Sequence, residues 1–86
     1  MHLVERKLLA GVVYDFLSFM RDLGKRESLT ETQLEDAKKM VKWSNTQNKE
    51  HSIAIKPSDK DGKKIWLHRR SDPFKHDFLD LEVFYT

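Results

Sequence analysis

Three features of this sequence predict an α+β fold in which an N-terminal antiparallel helical pair packs on one face of a small antiparallel β-meander. Apolar residues recur at three- and four-residue steps through the first half of the chain. Two short alternating segments flank the Asp61-Gly62 pair, and a third alternating segment closes the chain. The expected order is α-α-β-β-β, with helices over about 3–23 and 31–46 and strands over about 52–57, 63–70 and 78–85.

The first helix rests on Val4, Leu8, Leu9, Val12, Val13, Phe16, Leu17, Met20 and Leu23, a wide stripe at helical spacing. Gly24 stands where a left-handed C-terminal cap is wanted, and Lys25 and Arg26 follow near the negative end of the helix dipole. The stripe is broader than one short partner helix can cover, so either the sheet covers Tyr14, Phe19 and Met20 or they stay partly exposed. That face is a candidate seam for a homodimer.

The second helix has a full start signal. Thr30 is the N-cap, Gln33 three residues on completes a capping box, and Leu29 and Leu34 are placed as a hydrophobic staple. Its inward set is Leu34, Ala37, Met40, Val41 and Ser44, with Trp43 at the edge. The segment 44–52 reads as loop.

The hairpin follows from parity. Ile53, Ile55, Ile65 and Leu67 should all face the core, and residues opposite one another in an antiparallel pair share a face. An odd-membered loop is therefore required, and Lys60-Asp61-Gly62 supplies a type I turn with glycine at the bulge position. The predicted pairs are Ile55 with Leu67 and Pro57 with Ile65. Lys56, Lys64, Trp66, His68 and Arg70 then point away from the core, with Lys56 opposite Trp66.

In the last segment Leu79, Leu81, Val83 and Tyr85 alternate with Phe78, Asp80, Glu82 and Phe84. A helix from Pro73 is the alternative, since Phe74, Phe78, Leu81 and Tyr85 also fit a helical stripe. As a strand it should pair with 64–70, bringing Asp80 and Glu82 beside His68, Trp66 or Arg70.

Length and composition bound the function. Eighty-six residues predict one domain over 1–86. A chain this short buries only about 60–65% of its unfolded surface, so its core is small. There is no cysteine, which excludes disulfides, thiolate metal sites and cysteine nucleophiles and favours a reducing, cytoplasmic location. Glu5, Arg6, Lys7 and Asp15 interrupt the apolar N-terminus, so neither a signal core nor a membrane span is expected. The net charge of +2 is unevenly spread. Residues 51–71 carry six Lys and Arg against two Asp, and residues 72–86 carry one against four acids.

The candidate contact residues are Lys56, Lys64, Trp66, His68, Arg69 and Arg70, with Trp43 secondary. An indole beside arginine is the usual makeup of a protein-binding hot spot. The leading expectation is a small non-enzymatic protein that binds another protein, an inhibitor or adaptor of bacterial or viral origin. The alternative is a nucleic-acid-binding protein, with Lys64, Arg69 and Arg70 on phosphates and Trp66 as a stacking platform. A modest net charge and the nearby Asp59, Asp61, Asp80 and Glu82 weigh against it. His68 and His76, with Asp72 or Asp77, lack a ligand spacing such as HExxH, so no metal is expected, and no cofactor. The three glycines lie far apart and form no phosphate loop.

Overall fold

The computed structural model describes residues 1–10, 13–57, 63–71 and 78–86. Its elements in chain order are β1 (His2–Ala10), α1 (Val13–Arg26), α2 (Glu31–Gln47), β2 (His51–Ile55), β3 (Ile65–Arg70) and β4 (Phe78–Tyr85). The class is α+β, as expected, with two helices and a four-stranded sheet in the order β1-β4-β3-β2, every neighbouring pair antiparallel. Both helices lie on one face: α2 packs over β2 and β3, and α1 packs over β1 and against α2.

The expected helix over 3–23 is corrected in its first half, which forms β1 instead. Its apolar residues fit a helical stripe by spacing alone. As a strand, Leu9 pairs with Leu79 and turns into the core, while Glu5 meets Arg26 of α1 at 3.3 Å. Pairing with the open edge of β4 gives eight of the nine residues of β1 a partner on that strand, which local helix preference does not outweigh. A bulge between Leu3 and Glu5 shifts the register, so the alternation is broken in the sequence as well.

The remaining helix α1 buries Phe16, Phe19, Met20 and Leu23. Of the two readings of Phe19 and Met20 the covered one holds, since both lie in the core, and the side chain of Tyr14 lies outside the described residues. Gly24 is not the cap: α1 runs on to Arg26, and the left-handed residue is Ser28, at φ 55°. The Leu29 amide donates to the Gly24 carbonyl at 2.9 Å, which closes the helix end. Gly24 has a different use. A Cβ there would meet the Leu34 methyls at 3.3 Å, so the missing side chain lets α2 approach.

In α2 the capping box forms as read. The Gln33 amide donates to Thr30 Oγ1 at 3.1 Å, and the Thr30 amide donates to Gln33 Oε1 at 3.0 Å. Ala37, Met40, Val41 and Ser44 are buried. The helix ends at Asn48, in the left-handed region at φ 48°.

The hairpin keeps its predicted faces but not its predicted pairs. Ile55 opposes Ile65 and Ile53 opposes Leu67, a slip of two residues. An even slip leaves every side chain on its face. Pro57 has no N–H and cannot extend the ladder. The Lys56 carbonyl instead accepts from Gln33 Nε2 at 2.9 Å, and the Lys64 backbone pairs with Thr86. Ala54, not Lys56, stands opposite Trp66. The proposed Lys60-Asp61-Gly62 loop lies outside the described residues.

Strand β4 settles the strand-or-helix alternative over the described part of that segment: it is a strand, paired with β3 so that Trp66 faces Phe84, His68 faces Glu82 and Arg70 faces Asp80. The core is formed by Leu9, the α1 set, Ala37, Met40, Val41, Ile55, Ile65, Leu67, Leu81 and Val83. At its rim lies the fully buried Glu27, which accepts from Tyr85 Oη and, at 3.3 Å, from Arg26 Nε. Lys63 Nζ sits 3.6 Å over the Tyr85 ring. Burial, and then the bond to Glu27, push the Tyr85 phenol up from its ordinary value.

Candidate functional site

Alternation in β3 and β4 sends Trp66, His68 and Arg70, with Asp80, Glu82 and Phe84, to the face opposite the helices. Pairing with β2 adds Ser52 and Ala54, and β1 adds Leu3, Arg6 and Leu8. A cleft of about 410 Å³ opens on this face, lined by Met1, Glu50, Ser52, Trp66, His68, Arg70, Glu82 and Phe84.

Its floor is polar and tightly linked. His68 Nδ1 lies 3.0 Å from Glu82 Oε1, and Nε2 lies 2.9 Å from Glu50 Oε1. A neutral ring can donate to one of these carboxylates, a protonated ring to both. Glu82 is buried, and Arg70 approaches it and Asp80 at 3.9 Å. Asp80 is also clasped by Arg6, whose Nε and NH2 donate at 3.0 and 2.8 Å. That contact raises the Arg6 pKa from its ordinary value, chiefly through the hydrogen bond. Beside this network stands an apolar pair, Trp66 and Phe84, with Phe84 tilted 6.5 Å from the His68 ring. Trp66 Nε1 is buried and, among the described residues, has no hydrogen-bond partner.

Of the residues singled out by sequence, Trp66, His68 and Arg70 are brought together here. Arg69 is not among them. It follows the inward parity of Ile65 and Leu67, is only 2% exposed, and runs under the end of α2. There its NH1 donates to the carbonyls of Ser44 and Lys49, and its NH2 to Asn45 Oδ1 and Asn48 Oδ1. A guanidinium in that position is a helix cap for the negative end of the dipole and cannot reach a phosphate or a partner. Trp43 is half exposed but stands on α2, across the sheet from Trp66, edge-on to His51 at 5.6 Å. Lys56 and Lys64 are exposed and do not line the cleft.

Sequence reasoning missed Met1, Glu50 and Ser52. Met1 could not be placed while residues 3–10 were read as helix, Glu50 fell in a segment read as loop, and Ser52 stood at the boundary between that loop and the strand expected over about 52–57. Phe84 and Glu82 were legible from the alternation of β4. His76, Asp72 and Asp77 lie outside the described residues. Among the described residues no three of His, Asp and Glu converge on a point that could hold a metal ion. At His68 the reason is plain, since its two carboxylates sit on opposite ring nitrogens. Among the described residues no helix is long and apolar enough to cross a membrane. Comparison with known protein families, with curated proteins and with solved structures returns no match.

Proposed function

We propose that this protein is a small non-enzymatic binding module, of the inhibitor or adaptor type, that takes another protein on the helix-free face of its sheet. The observation that carries this reading is the pairing of basic side chains with carboxylates on that face. Arg6, His68 and Arg70 each stand against a carboxylate of Asp80, Glu82 or Glu50, and they surround the apolar pair Trp66 and Phe84. A rim of paired basic and acidic side chains around an aromatic centre is the anatomy of a protein-binding hot spot. A nucleic-acid surface needs cations free to neutralise phosphates. The strongest free-standing candidates, Lys56 and Lys64, lie off the cleft, and Arg69 is turned inward. A cytoplasmic location belongs to the same reading, since a cysteine-free chain of this size gains nothing from an oxidising compartment.

The test is affinity capture from a lysate with nuclease present, using the wild type beside Arg70→Glu and Trp66→Ala. A protein held by the wild type and lost by both variants, with their far-UV circular dichroism unchanged, supports the reading. Capture indifferent to both variants moves the site elsewhere. Oligonucleotide binding at low salt that falls steeply as salt rises replaces this reading with the nucleic-acid one.

A further inference from the structure

Strand β1 is an outermost strand, bonded to β4 on one side and, among the described residues, to no strand on the other. Most of the large apolar side chains left exposed among the described residues lie on it or directly before it: Leu3, Val4 and Leu8 on the strand and Met1 ahead of it, with Leu17 and Trp43 elsewhere. A long edge strand carrying apolar side chains is a template for another strand.

The order of charges along β1 says which strand fits. Glu5, Arg6 and Lys7 are consecutive. An antiparallel copy centred on Arg6 sets Glu5 of each chain against Lys7 of the other. Both residues lie on the helix side of the sheet, opposite the buried Val83 and Leu81. The same register brings Leu8 of each chain beside Val4 of the other. Arg6 meets its own copy on the two-fold axis, and its charge is already matched by both oxygens of Asp80. A parallel, in-register copy would instead set Glu5 against Glu5 and Lys7 against Lys7, which is unfavourable.

We infer that this protein forms a two-fold dimer by pairing β1 with the β1 of a second copy, continuing the two sheets into one. The contact is isologous and closes after two chains. It uses the sheet edge, and its charge pairs, Glu5 with Lys7, lie on the face opposite the cleft, although Arg6 and Leu8 also border the cleft face. The bulge at Val4 ends the regular ladder on each side and keeps the contact short.

Sedimentation equilibrium of the whole chain should show a concentration-dependent monomer–dimer equilibrium. Lys7→Glu faces carboxylate with carboxylate at both pairs and should weaken the dimer by about ten-fold or more. Glu5→Lys should do the same with ammonium groups, and mixing the two variants restores opposite charges and should restore the dimer. Because Glu5 also holds Arg26, Leu8→Lys is the second probe: this residue is 60% exposed, so the variant should keep its circular dichroism and lose the dimer. A wild type that stays monomeric up to about millimolar concentration overturns the inference. So does a dimer that Lys7→Glu and Leu8→Lys leave intact.

Discussion

Replacing Arg69 with leucine removes a buried guanidinium while keeping an apolar stem beside Leu67. The wild-type NH1 donates at 3.1 Å to the Ser44 carbonyl and at 3.3 Å to that of Lys49, and NH2 reaches Asn45 and Asn48 at 3.1 and 3.2 Å. Asn45 is exposed and Asn48 half-buried, so water can replace those two bonds at small cost. The carbonyls are different. Ser44 is fully buried, and although its carbonyl keeps the Lys49 amide at 3.0 Å and the Lys49 carbonyl keeps the Ser44 hydroxyl, both lose their bond to a charged donor, which is worth about 1.5–3 kcal/mol. With the lost favourable contact between cation and helix end, about 0.3–1 kcal/mol, the total comes to about 2–4 kcal/mol. A chain of 86 residues at about 0.05–0.15 kcal/mol per residue holds roughly 4–13 kcal/mol in all. Arg69→Leu should therefore remove a large share of the stability. Arg69→Lys should recover less than half of the loss, because one ammonium cannot span four acceptors in the way a planar fork does. Urea unfolding followed by far-UV circular dichroism gives both values, with an unchanged slope showing that the unfolding transition is the same. A loss under about 1 kcal/mol, or a lysine variant equal to wild type, would refute the assignment of Arg69 as the cap of α2.

Two further outcomes follow from the rim of the core. The Tyr85 phenol is held above its ordinary value by burial and by Glu27, so its contribution is intact below about pH 10 and is lost as pH rises from there through the folded value. Urea midpoints measured from about pH 8 to about pH 11 should fall more steeply for wild type than for Tyr85→Phe, and parallel curves would dismiss the coupling. Tyr85→Phe should also lower stability by about 1–3 kcal/mol at neutral pH, since Glu27 loses a donor in a fully buried place. Ser28 holds a left-handed conformation at φ 55°, where a Cβ is costly, so Ser28→Gly should raise stability by about 0.5–1 kcal/mol in the same urea assay. A destabilised Ser28→Gly would mean that the serine side chain, not the backbone, holds the turn.

The sequence alone determined the elements whose signals are local. Thr30 and Gln33 announce the start of α2 because a capping box is made within four residues. The faces of Ile53, Ile55, Ile65 and Leu67 follow from a period of two, which survives any even slip, and so Trp66 and His68 could be sent outward before their partners were known. Tertiary structure alone decided what depends on distant partners. Residues 2–10 fit a helix by spacing, because the bulge breaks their alternation, and the free edge of β4, about seventy to eighty residues away, selects the strand. Arg69 reads as one more basic residue beside Arg70, until the position of α2 above β3 gives its guanidinium two carbonyls to hold. Glu50 reaches His68 only because β2 lies beside β3. Spacing along a chain encodes which way side chains point, whereas the energy of a buried charge or an edge strand is set by groups that sequence proximity does not reveal.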